Sequence, residues 1–106
     1  MTEEQFRRQV RHLAELRGWT LAYHTHNSRR SDAGWPDEVF GHPAAGRTLF
    51  VELKTDTGRV RPEQRTWLTH LAACGLEAAL WRPRDMPLIV ATLAPAGPRA
   101  TLPDKL

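Results

Sequence analysis

The chain has 106 residues, enough for one small two-layer domain and one core, so a single functional site is expected. With 41% hydrophobic and 25% charged residues and no apolar run near the ~20 residues of a membrane span, it lies outside the disordered and membrane classes. The net charge of +3 is moderately basic and specifies no partner by itself, but the arginines fall in three groups, Arg7, Arg8 and Arg11, then Arg29 and Arg30, then Arg59, Arg61 and Arg65, which together suit phosphate contacts although each alone reads as a solvated face.

The N-terminus, "MTEEQFRRQV", is charged and lacks the apolar core of a signal peptide, so a cytoplasmic location is expected. Residues 2–17 read as a helix capped by Thr2, with Glu3 and Glu4 in the first turn where the macrodipole favours acids. Phe6, Val10, Leu13, Ala14 and Arg17 share one stripe, and Glu3 falls on it too. Two readings of Glu3 stand open: a dipole-stabilising residue, or a carboxylate aimed at a site beside the core. Gly18 ends the helix, and "WTLAYH" at 19–24 alternates as a first strand.

The polar stretch 25–35, "THNSRRSDAGW", reads as a functional or a mobile loop. A short strand, "PDEVF" at 36–40, is expected next, then a turn over 41–46 and the strand "LFVELK" at 49–54, the two strands forming a hairpin. In the second strand Leu49, Val51 and Leu53 take one face and Phe50, Glu52 and Lys54 the other. Pro62 is placed to open a helix that runs to about Cys74, with Trp67, Leu68 and Leu71 on its buried stripe and Gln64 in line with them. Cys74, the one cysteine, allows no intrachain disulfide and no thiolate zinc site, and reads as a small buried apolar residue at the helix end. "EAALW" at 77–81 is a last strand, 85–93 a short helix, and 94–106 an irregular proline-rich tail.

Glu3, Asp37, the Glu52/Lys54 pair and Gln64 thus converge as inward polar residues. Carboxylates held together repel, by ~1 to 4 kcal/mol per pair at 4 Å, and burying them unpaired costs more. A divalent cation offsets both: Mg²⁺ takes hard oxygen ligands and leaves positions for water and phosphate. Asp37 and Glu52 must then share a face. Pairing Phe40 with Thr48 would set them apart, whereas pairing Phe40 with Arg47, or a bulge at Asp37, would bring them together. His24 and His26 at a strand end are a weak transition-metal signal, and His12, His42 and His70 read as surface or helix residues.

Pro36-Asp37, Glu52-Leu53-Lys54 and a glutamine opening the next helix resemble the PD-(D/E)xK nuclease superfamily. The surrounding text, "GW" (18–19), "YH" (23–24), "FVELKTDTGRVRPEQRTWL" (50–68) and "WRP" (81–83), resembles the virus-type replication-repair nuclease family, VRR-NUC, over residues 2–93. This resemblance implies an α/β, restriction-endonuclease-like core with a mixed β-sheet flanked by α-helices, occupying 1–93. By position it implies that Asp37, Glu52 and the Leu53 backbone carbonyl ligate Mg²⁺, with Mn²⁺ able to substitute, and that Glu3 assists, directly or through water. It implies that Lys54 positions or deprotonates the attacking water and steadies charge on the phosphate, and that Gln64 holds Lys54, water or the backbone phosphate. His24 would touch phosphate, and Arg29, Arg30 and Ser31 on the loop, with Arg59, Arg61 and Arg65, would meet DNA.

One position departs from the family: Glu38 stands where an aliphatic residue is common. It is expected to point away from Asp37 at a cost in core packing, or to mark a partner surface. The resemblance implies a small stand-alone Mg²⁺-dependent endodeoxyribonuclease, phage-type and homodimeric, acting on duplex or branched DNA such as Holliday junctions. The rival reading is a nuclease fold kept as a DNA-binding or assembly subunit without catalysis, against which the set of like charges argues.

Overall fold

The computed structural model describes residues 1–25, 30 and 32–106. Helix α1 spans Glu3–Leu16, opened by a reciprocal cap in which Thr2 Oγ1 accepts from the Gln5 N–H at 3.1 Å and Gln5 Oε1 accepts from the Thr2 N–H at 2.8 Å. Strands β1 (Leu21–His24), β2 (Glu38–His42) and β3 (Arg47–Leu53) follow, then helix α2 (Pro62–Ala73), strand β4 (Glu77–Trp81), a 3-10 turn (Pro83–Asp85) and helix α3 (Met86–Leu93). Among the described residues no helix is long and apolar enough to cross a membrane.

The four strands form one sheet in the order β1-β2-β3-β4. The first three pair antiparallel, and β4 lies parallel to β3 because α2 carries the chain back over the sheet. Alternation then divides the side chains. Phe40, Leu49, Val51, Leu53, Ala79 and Trp81 form the main core with Phe6, Val10 and Ala14 of α1 and Ile89 and Leu93 of α3. Ala78 and Leu80 face the other way, onto Leu68 of α2. The sheet is therefore sandwiched between helices, and its polar residues emerge where β3 and β4 end and α1 and α2 begin.

The hairpin adopts neither of the registers weighed from the sequence. Phe40 pairs with Leu49 and Glu38 with Val51, because β2 begins two residues later than expected and runs on through Gly41 to His42. The reason is His42, which is buried rather than at the surface: its Nε2 lies 2.9 Å from the Arg17 carbonyl, its Nδ1 accepts from the Ala45 N–H at 3.0 Å, and its ring meets Trp19 edge-on. The turn shrinks to Pro43–Gly46, with Gly46 at φ +66°. One further step along this ladder sets Asp37 opposite Glu52.

Residues 94–106 contain neither helix nor strand, yet they are tied down. Arg47 pairs both carboxylate oxygens of Glu77, at 3.1 and 2.6 Å, and donates to the carbonyls of Thr92, Ala94, Pro95 and Pro98. Leu102 and Leu106 pack against the Leu68 cluster. Cys74 is exposed, which corrects the expectation of a buried thiol. Six positions beyond Leu68, it has rotated off the helix stripe that meets the sheet.

Candidate active site

Three carboxylates meet at the sheet end. Asp37 directly precedes β2, Glu52 is the penultimate residue of β3 and Glu3 lies in the first turn of α1; one oxygen from each lies within 4.8 Å of the others. Asp37 Oδ2 accepts from the Leu53 N–H at 3.1 Å, which fixes its carboxylate beside Glu52. Glu52 is 1% exposed. Its Oε2 accepts from Gln64 Nε2 at 3.1 Å and lies 3.8 Å from Lys54 Nζ, while its Oε1 has no hydrogen-bond partner among the described residues. Gln64, buried at the start of α2, has its amide oriented from the far side, since its Oε1 accepts from the Arg61 N–H at 2.9 Å.

Burial and the neighbouring Asp37 carboxylate push the Glu52 carboxyl far above its ordinary 4.5, and Lys54 only partly opposes them. Glu3 is raised for the same reasons in the same order. Clustered acids that resist ionisation, one with an orphaned buried oxygen, are the donor set a hard divalent cation fits: oxygen ligands only, with a positive charge that relieves the repulsion. Beside them lies a cleft of about 270 Å³ lined by Glu3, Glu4, Arg7, His24, Asp37 and Leu53.

The structure brings Glu3, Asp37, Glu52, Leu53, Lys54 and Gln64 to one locus, with His24 next to it: His24 Nδ1 lies 3.2 Å from the Asp37 carbonyl. Arg29 and Ser31 lie outside the described residues, as does His26, and Arg30 is exposed. Arg59, Arg61 and Arg65 are exposed around the start of α2, although Arg65 turns toward the Leu106 carbonyl at 3.4 Å.

Glu38 marks no surface, since it is 0% exposed. Register explains it: opposite Val51, it is directed to the α1 face of the sheet, where burial outweighs Arg11 and Arg7 and lifts its pKa to about 7. Two features escaped the sequence reading. Arg7 lines the cleft one helical turn from Glu3, a relation present in the i, i+4 spacing. Trp35 stands edge-on to both Phe50, at 6.0 Å, and Trp67, at 4.9 Å, and pins the segment leading to Asp37 against α2. Gly34, at φ +88°, permits that approach, because a Cβ there would sit 2.3 Å from the Glu63 carbonyl oxygen.

Comparison with known proteins agrees with this geometry. A family model, the VRR-NUC domain, matches residues 2–85. The fold is similar to that of a solved VRR-NUC domain protein, at 18% identity over 92% of each chain with a TM-score of 0.63. It is also similar to Hjc from Archaeoglobus fulgidus, a Holliday junction resolvase, at 26% identity over 76% of this chain and 68% of that one, with a TM-score of 0.53. No curated protein matches the sequence.

Proposed function

Because the chain belongs to the VRR-NUC nuclease family and has a restriction-endonuclease-like fold, we propose that it is a Mg²⁺-dependent endonuclease that hydrolyses DNA phosphodiester bonds. The observation that carries this reading is the approach of Glu3, Asp37 and Glu52 within 4.8 Å beside Lys54, with one buried Glu52 oxygen unpartnered.

Asp37, Glu52 and the Leu53 carbonyl would hold the ion, with Glu3 at its margin, and Mn²⁺ would serve in its place. When bound, the ion polarises the scissile phosphate and lowers the pKa of an attacking water. Gln64 keeps the Glu52 carboxylate in one orientation, and Lys54 stands where its ammonium steadies charge growing on the phosphate and positions the water. Water oxygen bonds to phosphorus, the bond to the 3′ oxygen breaks, and that oxygen takes up a proton, leaving a 5′ phosphate. His24, which lines the cleft, and the exposed Arg30, Arg59, Arg61 and Arg65 would act as phosphate contacts, and Arg29 and Ser31 are proposed for the same role.

The likeness to a Holliday junction resolvase supports branched DNA as the substrate. Cutting two strands calls for two copies of a one-site domain, so a homodimer is the working assembly. Labelled duplex, single-stranded, flap and four-way-junction DNA incubated with Mg²⁺, Mn²⁺ or EDTA tests the proposal. Metal-dependent cutting, fastest on the junction, is expected; binding without cutting under every metal would mark a DNA-binding module instead.

A further inference from the structure

Arg7 sits in the cleft that holds Glu3, Asp37 and Leu53, and only long ion pairs, to Glu4 and Glu38, engage its guanidinium among the described residues. Its side chain is 21% exposed, its nearest acids are Glu4 Oε1 at 3.7 Å and Glu38 Oε1 at 4.0 Å, and among the described residues it makes no hydrogen bond. A guanidinium presents five N–H donors in a planar fork that matches phosphate, and donors left open in a largely buried setting are costly unless a ligand takes them. Beneath it lies Glu38, fully buried, whose carboxylate oxygens accept no hydrogen bond among the described residues and meet only the ion-pair contacts of His24 and Arg7. Such a group is expensive to keep in a core, and an apolar residue of its size would pack better. What Glu38 does have is position: Arg7 and Arg11 lie on the same line of α1 as Glu3, four residues apart, and their charges bear on it, while His24 Nδ1 approaches its Oε1 to 3.2 Å.

We propose that Arg7 binds a DNA phosphate at the cleft, next to the scissile position, and that Glu38 is the positioning residue that draws Arg7 inward and aims its fork past the metal site. This rests on the nuclease reading above. Glu38 stays beyond hydrogen-bond distance of Arg7, so it draws one terminal nitrogen inward without consuming its donors, while Glu4 at the rim faces the other terminal nitrogen at 3.7 Å.

The test is binding of a fluorescein-labelled four-way junction and a matched duplex, with Ca²⁺ replacing Mg²⁺, across a range of salt. Arg7→Ala should weaken binding about tenfold or more, as loss of a charge-assisted contact does, and flatten the slope of log K against log salt by about one. Arg7→Lys should keep the slope and lose part of the affinity. Glu38→Gln should weaken binding in the wild-type background and change nothing further beside Arg7→Ala. Should that variant fail to fold, Glu38→Leu replaces it. Exposed Arg17→Ala, at the other end of α1, is the control for general charge loss. Wild-type affinity and slope in Arg7→Ala, or equal effects of the Glu38 change in both backgrounds, would overturn the proposal while leaving the nuclease intact. A wild type that neither binds nor cuts any DNA would overturn the nuclease reading and this inference with it.

Discussion

The Asp37 carboxylate accepts a hydrogen bond from the Leu53 N–H at 3.1 Å, so the residue before β2 is tied to the residue after Glu52. The tie holds two acids together independently of any ion. Asp37→Asn keeps an acceptor oxygen for that bond and loses the charge. It should therefore fold as wild type in EDTA yet lose the rise in melting temperature that saturating Mg²⁺ or Mn²⁺ gives the wild type, a gain of ~2.7 kcal/mol at a hundredfold excess over Kd. Thermal melts of both proteins, with and without metal, check this. An equal metal response would separate Asp37 from the metal site.

Stability without metal should fall as pH rises. Burial lifts Glu38 to about 7 and raises Glu3 and Glu52 above their ordinary 4.5, so the folded chain keeps protons that the unfolded chain releases above that value. Wherever the folded state binds more protons, raising the pH favours unfolding, here from about 4.5 through about 7 for Glu38 and on to about 9 for Glu52. Glu77 is opposite: burial would raise it, but Arg47 and the Ala100 N–H more than offset that, so its contribution is lost only below the same window. Urea midpoints in EDTA should be higher at pH 5.5 than at pH 8; a midpoint rising over that interval would contradict the assignment.

Arg47→Ala should cost more stability than any single change at the carboxylate cluster. It would leave Glu77, 2% exposed, as a buried unpaired charge and free the tail carbonyls, an effect of about 3 to 5 kcal/mol. Urea unfolding should show the full loss, and a change under about 1 kcal/mol would mean that the tail packs without this anchor.

Gly34→Ala should damage folding and site together. The residue needs φ +88°, and its Cβ would lie 2.3 Å from the Glu63 carbonyl oxygen, next to Gln64. Relief requires the segment before Asp37 to move off α2, with a loss of stability above about 1 kcal/mol and weaker metal binding. Wild-type melting and metal response would show that the segment has room to adjust.

The elements and the acid cluster were legible because each signal is local: the Thr2 cap, the alternation of 49–54, Pro62 opening a helix, and Glu52 and Lys54 on one face of a strand. Register was not. It depends on His42 being held by the Arg17 carbonyl and Trp19, contacts that no short segment announces, and so the pairing of Phe40 was misread although Asp37 still reached Glu52. Glu38 read correctly as turned away from Asp37, but its partners, Arg7 on α1 and His24 on β1, lie on other elements. The Arg47–Glu77 anchor joins positions 30 residues apart and a tail without periodicity, so its partners were invisible for the same reason.

The most direct measurement is the rate of four-way-junction cleavage in Mg²⁺ by wild type, Asp37→Asn, Glu52→Gln and Lys54→Ala, with folding verified by melts. Metal-dependent cutting by wild type, reduced ~100-fold or more in each variant, is the predicted result. Cleavage by Lys54→Ala and Asp37→Asn at the wild-type rate would contradict the assignment of catalysis to this cluster.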